Sequence, residues 1–152
     1  MTVISPTGTC FDDAMGFLFL FRLEDPTVRM NVMRTVRVAH GICTTPSGIP
    51  FAHAWVEERV EDDPDRTGWP ARVVWQGMKA DNGRKAYFAV EAGWFMRAYG
   101  VRDRTLYTIR DCMARGVASD HAGPWIARYR KHLGHEVLEA LPDVSVLGVL
   151  EL

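Results

Sequence analysis

The pattern of apolar and polar positions in the first sixty residues predicts a helix followed by two antiparallel strands. Thr9 is a plausible N-cap for a helix over residues 10 to about 23, which is apolar nearly all round and is therefore expected to be buried. The Asp25-Pro26 pair is expected to end this helix. Alternation over residues 35–44 and again over residues 51–59 predicts two strands joined by a turn.

The remainder of the chain predicts more strands, with helices after them. We expect an acidic loop over residues 60–70, followed by strands over 71–78 and 85–88 around a turn at 81–84. A helix over 90–99, an edge strand over 104–108 and a helix over 109–115 stopped by Gly116 are expected next. A further helix should end near residue 133, and one or two helical turns should follow over 136–141. This order predicts an α+β fold, with a buried N-terminal helix on a central antiparallel sheet, as one domain over residues 1–152.

The register of the first hairpin decides which side chains share a face of the sheet. If the turn centres on Ser47 and Gly48, the numbers of facing residues sum to about 95. His40 then faces Trp55, and His53 lies on the same side of the hairpin. A shift of one residue would move the whole set to other faces.

Composition and charge point to an ordinary globular protein. Apolar residues make up 47% of the 152 residues, charged residues 24%, and the net charge is −1. A nucleic-acid partner is therefore not expected, and the basic run over residues 128–132 is interpreted as a solvated helix face.

The three cysteines, Cys10, Cys43 and Cys112, do not form a disulfide framework. The first residues lack a signal-peptide pattern, and the apolar run over residues 17–21 is too short to span a bilayer. We therefore expect a cytoplasmic protein with no membrane segment, in a compartment where a thiolate persists.

Cys10 and His53 are the leading candidates for chemistry. A thiol at a helix N-terminus is activated by the backbone amides and by the helix dipole, and a histidine on a facing strand can act as its base. Asp12 and Asp13 oppose a thiolate, but their side chains can turn to solvent, where they are screened. We therefore expect the pKa of the Cys10 thiol to lie below its usual value of about 8.5.

Further polar residues are predicted near His53. Trp55 and Glu57 alternate onto its face of the strand, and His40 is expected beside them. Polar groups clustered on a face that should pack indicate a site.

A third group would orient the imidazole of His53. Gln76 and Asp81 are both candidates, and Glu57 is a weaker one because it lies two residues further along the strand. A glutamine accepts a hydrogen bond but lacks the charge of an aspartate, so the choice affects how reactive the pair is.

Two other interpretations compete with this one. Cys10 and His53 are also residue types found in ordinary cores, and His40, Cys43 and His53 together supply metal-ligand atoms. Alternation sends His40 and Cys43 to opposite faces, so no metal site is expected, and Cys43 and Cys112 are predicted to be core residues. No cofactor is expected.

Three motifs carry a resemblance to a known superfamily. Residues 9–14 (TCFDDA), 38–41 (VAHG) and 53–57 (HAWVE) resemble papain-like/transglutaminase-like cysteine hydrolases, in particular small proteins carried by phages and other mobile elements. The turn over residues 82–84 (NGR) and the segments 107–111 and 123–125 (GPW) also match the pattern of those proteins. The likeness covers most of the chain, from residue 10 to residue 125.

This resemblance implies a Cys-His-acid site on a papain-like α+β fold, with Cys10 as nucleophile and His53 as base. The relatives carry an aspartate shortly before the NGR turn, whereas this chain has residues 75–79 (WQGMK) there, with Gln76 in place of an acid. The implied activity is hydrolysis or transamidation of a peptide, isopeptide or glutamine amide through a thioester. The partner is then a peptide or protein substrate, and no oligomeric state is assigned.

The alternative function is a protein-binding module without catalysis on the same fold. The tryptophans Trp69, Trp75, Trp94 and Trp125 would then provide the contact surface.

Overall fold

An antiparallel sheet with helices on both faces forms the described part of the chain, and the protein is α+β, as predicted. The computed structural model describes residues 5–6, 9–59, 71–79, 83–133 and 146–151. In chain order, the elements are β1 (Ser5–Pro6), α1 (Cys10–Phe17), a 3-10 turn (Leu18–Leu20), α2 (Pro26–Thr35), β2 (Val36–Thr44), β3 (Pro50–Glu58), β4 (Val73–Lys79), β5 (Lys85–Glu91), α3 (Ala92–Ala98), β6 (Asp103–Tyr107), α4 (Ile109–Ser119), α5 (Ala127–Arg130) and β7 (Gly148–Glu151).

The sheet has the strand order β6-β2-β3-β4-β5-β7, and β1 pairs additionally with β4. β2 and β3 pair over nine residues and β4 and β5 over seven, but β3 and β4 pair over only three, Val56–Glu58 against Val73–Trp75. Further along β4, β1 pairs with Met78 and Lys79. The sheet therefore consists of two well-paired halves that separate beyond Val56 and Trp75, and we call this gap the β3–β4 opening.

Side-chain alternation gives the sheet two distinct faces. On the α1 face, helices α1, α2 and α4 pack against even-numbered residues of β3 such as Ala54 and Val56. On the α3 face, helix α3 packs against odd-numbered residues of β3 such as Trp55, with Phe95 fully buried between helix and sheet.

Helix α1 is shorter than the sequence predicts. It ends at Phe17, a 3-10 turn follows, and Phe19 is 74% exposed, so the expectation of a helix buried to residue 23 is wrong at its C-terminal end. The Asp25-Pro26 pair begins a helix instead of ending one. The Asp25 carboxylate accepts hydrogen bonds from the backbone N–H groups of Thr27 and Val28, and proline suits the first helical position.

The register of the β2–β3 hairpin differs by one residue from the predicted register. His40 pairs with Ala54 and Gly41 with His53, so the facing numbers sum to 94. The loop holds five residues centred on Ser47, with the Thr45 N–H donating to the Ile49 carbonyl and Gly48 at a φ of 91°. As a result, the two histidines lie on opposite faces of the sheet.

The later elements follow the predictions more closely. Helix α3 and strand β6 form where expected, and β6 is an edge of the sheet. Helix α4 continues through Gly116, where a Cβ would lie 2.9 Å from Cε of Met15, and ends at Asp120 in the left-handed conformation. The predictions for residues 60–70 and 136–141 lie outside the described residues.

Candidate active site

Cys10 is the first residue of α1 and is buried in the core on the α1 face. Thr9 occupies the N-cap position, as predicted, but its hydroxyl does not accept a hydrogen bond from the helix backbone. It donates to both carboxylate oxygens of Asp13 at 3.1 Å instead. Asp12 is exposed, whereas Asp13 is only 2% exposed, so the expectation that both carboxylates turn to solvent is wrong for Asp13.

His53 lies on the α3 face within a stack of aromatic rings. Its imidazole is nearly parallel to the ring of Tyr99, with a centroid separation of 5.4 Å and an interplanar angle of 7°. Phe51, Trp55 and Phe95 surround the same imidazole, and only 2% of His53 is exposed. The ring is therefore held in one plane.

Gln76 forms a hydrogen bond with His53 across the β3–β4 opening. Gln76 Oε1 lies 3.0 Å from Nε2 of His53, and the side-chain amide of Gln76 donates to the Tyr99 hydroxyl at 3.0 Å. Because a carbonyl oxygen only accepts, Nε2 of His53 is the donor. In the neutral ring, the lone pair is then on Nδ1.

Cys10 and His53 approach the β3–β4 opening from opposite faces of the sheet. The first turn of α1 lies over β4, where a Cβ on Gly77 would be 2.8 Å from the side chain of Asp13. Only three residues separate Cys10 from β1, which occupies the edge of β4 that β3 leaves. This arrangement brings the N-terminus of α1 to the gap that His53 and Gln76 bridge, and the catalytic pairing of Cys10 with His53 stays a prediction.

His40 lies on the α1 face, so the prediction that it shares a face with His53 is wrong. The rings of Phe11, Tyr107 and Trp125 enclose it, with centroid separations of 4.8–5.1 Å. Its Nδ1 is buried without a hydrogen-bond partner among the described residues. Burial lowers the pKa of His40 from 6.5 to about 3, so the ring is neutral at physiological pH and cannot supply an imidazolium.

Trp55 and Glu57 share the α3 face with His53, as alternation predicts. Glu57 is fully buried, and Arg104 of β6 donates to its Oε1 at 2.8 Å. Burial raises the pKa of Glu57 from 4.5 to about 7, even though Arg104 and the Trp55 indole favour the charged form. Glu57 is thus engaged with the edge strand rather than with His53.

The remaining candidate residues do not join the group around His53. Asp81 lies outside the described residues. His40 and Cys43 are on opposite faces, and no three histidine, cysteine or acidic side chains cluster as a metal site within the described ranges. All three cysteines lie in the described part of the chain, all are buried, and none forms a disulfide. Burial raises the pKa of the Cys112 thiol to about 12, which makes it an inert core thiol.

Sequence reasoning missed Tyr99, Lys85 and the role of Asp13. Tyr99 was assigned only to the end of a helix, because nothing local links it to a strand more than twenty residues away. Asp13 contacts Lys85 of β5 as an ion pair, although the two residues are 72 positions apart. A carboxylate one turn after a candidate nucleophile was the available signal, since such a group needs a counter-charge when it is buried.

The described tryptophans are buried or partly buried, and Trp69 lies outside the described residues. The most exposed large apolar side chains are Val117 at 86% and Phe19 at 74%. Both line an open pocket of about 460 Å³ between α1 and α4, with Met15 and Met113 also in its wall.

No helix in the described ranges is long and apolar enough to cross a membrane. No protein-family model matches the chain, and neither a curated protein nor a solved structure matches it significantly.

Proposed function

We propose that this protein is a cysteine-dependent amide hydrolase or acyl transferase of papain-like/transglutaminase-like type. Cys10 is the nucleophile, His53 its general base, and Gln76 the residue that orients the imidazole. The substrate is a peptide or protein amide, and no cofactor is needed. A reducing compartment such as the cytoplasm suits a reactive thiol of this kind.

The hydrogen bond between His53 and Gln76 is the observation that carries the proposal. A general base needs its lone pair on a defined nitrogen. Gln76 defines the tautomer of His53, because its carbonyl oxygen fixes the proton on Nε2. Gln76 also stands on the strand after the histidine strand, as the third residue of a Cys-His-acid site would.

The β3–β4 opening supports the proposal in a second way. A continuous sheet would separate a thiol on the α1 face from an imidazole on the α3 face. Here β3 and β4 stop pairing after Val56 and Trp75, and the N-terminus of α1 meets the opening from the other side. The proposed dyad requires contact between Cys10 and Nδ1 of His53 through this opening.

The chemical step follows from these roles. His53 takes the proton of the Cys10 thiol, and the thiolate attacks the carbonyl carbon of the amide. The leaving amine takes that proton from the imidazolium as the C–N bond breaks and a thioester forms. Water or a second amine, deprotonated by His53, then attacks the thioester. The C–S bond breaks, an acid or a new amide is released, and the Cys10 thiolate leaves and regains the proton from the imidazolium. Backbone N–H groups at the start of α1 are the expected donors to the oxyanion.

Alkylation of individual cysteines tests the proposal without knowledge of the substrate. With iodoacetamide at about pH 6, Cys10 should react much faster than Cys43 or Cys112, because only Cys10 has an imidazole partner and a helix N-terminus. The His53→Ala variant should remove this difference, whereas His40→Leu should retain it. Peptide mapping by mass spectrometry gives each rate. Equal rates for Cys10 in the parent and in His53→Ala would contradict the proposal.

The open pocket between α1 and α4 favours a second candidate function, a protein-binding module. Phe19 and Val117 expose apolar surface that most globular proteins bury. If this function is the correct one, Phe19→Ser should abolish capture of the partner while His53→Ala leaves it unchanged. The alkylation experiment separates the two candidates, because a binding module has no need of a reactive thiol.

A further inference from the structure

Asp13 is a buried carboxylate that the proposed mechanism does not use. It belongs to the first full turn of α1, three residues after Cys10, and 2% of it is exposed. Lys85 of β5 forms an ion pair with its Oδ1, and the Thr9 hydroxyl donates to both of its oxygens. Gly77 makes room for it, since a Cβ there would overlap the carboxylate.

The backbone of the same helical turn is anchored to β5 as well. The Tyr87 hydroxyl donates to the Asp13 carbonyl oxygen at 2.8 Å. Lys85 and Tyr87 stand two residues apart on β5 and therefore reach α1 from the same face. The turn that carries Cys10 is thus joined to one strand by its side-chain charge and by its backbone.

Asp12 and Asp13 are the charged residues that follow Cys10 in α1. Residues i and i+3 of a helix have Cβ atoms about 5–6 Å apart, so the Asp13 carboxylate is close to the thiol. Asp12 is exposed to solvent, and Lys79 is an exposed residue paired with Lys85 across the strands. His53 of β3 is the proposed base for the thiol.

We propose that the Asp13–Lys85 ion pair is a positioning device for the nucleophile: Asp13 fixes the first turn of α1 on the sheet, and Lys85 cancels the negative charge that would otherwise oppose the Cys10 thiolate. This inference rests on the assignment of Cys10 as the nucleophile. Lys85 and Asp13 do not touch the substrate. They set the place and the electrostatic environment of the thiol.

The size of the effect follows from Coulomb's law. At an effective dielectric constant of about 20, a unit charge at about 6 Å shifts a pKa by about two units. Loss of Lys85 would lower the thiolate fraction of Cys10 below its pKa by less than this full shift, because the Lys85 side chain is 40% exposed and solvent screens its charge. Loss of the Asp13 charge would act in the opposite direction.

The test is a double-mutant cycle that removes the two charges, and its readout is the pH profile of Cys10 alkylation by iodoacetamide. Asp13→Asn keeps the shape and the Thr9 hydrogen bond and should speed alkylation about tenfold, whereas Lys85→Met should slow it about tenfold. The double variant should return to within about threefold of the parent, because the two charges are removed together. Lys79→Met is the matched control, an exposed lysine paired with Lys85 across the strands, and should change the rate by less than about threefold.

Opposite signs for the two single variants support the inference, because a purely structural anchor would change both rates in the same direction. Changes of equal sign, or no change in Asp13→Asn, overturn it. If circular dichroism shows that Lys85→Met does not fold, Asp13→Asn decides alone. His53→Ala keeps the two proposals apart: an unchanged Cys10 rate in that variant contradicts the hydrolase, while the opposite responses of Asp13→Asn and Lys85→Met would still stand.

Discussion

Two buried histidines on neighbouring strands have opposite environments. His40, on the α1 face, is enclosed by the rings of Phe11, Tyr107 and Trp125. His53, on the α3 face, is stacked on an aromatic ring and also hydrogen-bonded to Gln76. Both are almost fully buried, at 1% and 2% exposure. Burial alone therefore does not distinguish a core histidine from a candidate base.

The difference between the two lies in their partners. The imidazole of His40 pays a desolvation penalty on protonation, and burial is the cause of its lowered pKa. An imidazole with an oriented acceptor has a defined tautomer and a defined ring plane. Residue type and strand alternation are the same in both cases, so the function of each histidine is decided by long-range contacts.

The largest expected effect concerns the stability that His40 contributes. Its folded pKa of about 3 lies below its ordinary value of 6.5, so the contribution is complete above pH 6.5 and is lost as the pH falls through 3. The loss is on the order of 5 kcal/mol over that window. Urea unfolding at several pH values should show a steep acid loss in the parent that is much reduced in His40→Leu. His121→Gln, at an exposed histidine, is the control, and an unchanged acid loss in His40→Leu would contradict the comparison.

The next largest effect separates the histidines by reactivity. Because general-base catalysis contributes about 10²–10⁴-fold, His53→Ala should slow acylation of Cys10 by about a thousandfold, and His40→Leu by no more than a few-fold. The burst of p-nitrophenolate from p-nitrophenyl acetate measures the rate, and Cys10→Ala gives the background. If His53→Ala and His40→Leu slow acylation equally, His53 has no role in the reaction that His40 lacks.

A third effect, of opposite sign to that of His40, comes from Glu57 on the α3 face. Its folded pKa of about 7 exceeds 4.5, so its contribution to stability is complete below pH 4.5 and is lost as the pH rises through 7. The loss is about 3 kcal/mol. Glu57→Gln should therefore gain stability relative to the parent between about pH 5 and about pH 8. Glu58→Gln, at the half-buried neighbour, should show no such gain. A constant difference between Glu57→Gln and the parent would mean that Glu57 is ionised throughout.

The smallest expected effect concerns Tyr99, whose hydroxyl accepts a hydrogen bond from Gln76, the partner of His53. Tyr99→Phe keeps the ring stacked on His53 and removes the hydroxyl that accepts from Gln76. Because one neutral hydrogen bond contributes about 1 kcal/mol, acylation should slow by about fivefold with unchanged unfolding behaviour near neutral pH. Gln76→Ala should slow it further, and a Tyr99→Phe rate equal to the parent rate would show that stacking alone orients the imidazole.

Much of the fold could be predicted from local pattern. Alternation placed strands β2 and β3 within one residue of their ends, and helix α3 and the edge strand β6 formed where apolar spacing indicated. Alternation also placed Trp55 and Glu57 on the face of His53, because that relation depends only on strand geometry.

The predictions failed where two segments had to be related to each other. The face of His40 depended on whether the hairpin loop centres on Ser47 or one half-residue later, and no local preference decides this. The sequence predicts a helix stop at Asp25-Pro26, but the same pair is a good helix start, and α2 begins there. The burial of Asp13 needed Lys85, which is distant in sequence, and the tautomer of His53 needed Tyr99.

The β3–β4 opening has a consequence for motion. Strands β6, β2 and β3 form one hydrogen-bonded unit and β4, β5 and β7 another, and three residue pairs at one end of β3 join them. Because few backbone hydrogen bonds join the two units, their partial separation costs little free energy. Amide hydrogen exchange should therefore reveal two cooperative units that open separately. His53 belongs to one unit and Gln76 to the other. Separation of the two units would therefore break the hydrogen bond that fixes the tautomer of His53, whereas the aromatic rings packed around the imidazole would still hold its plane.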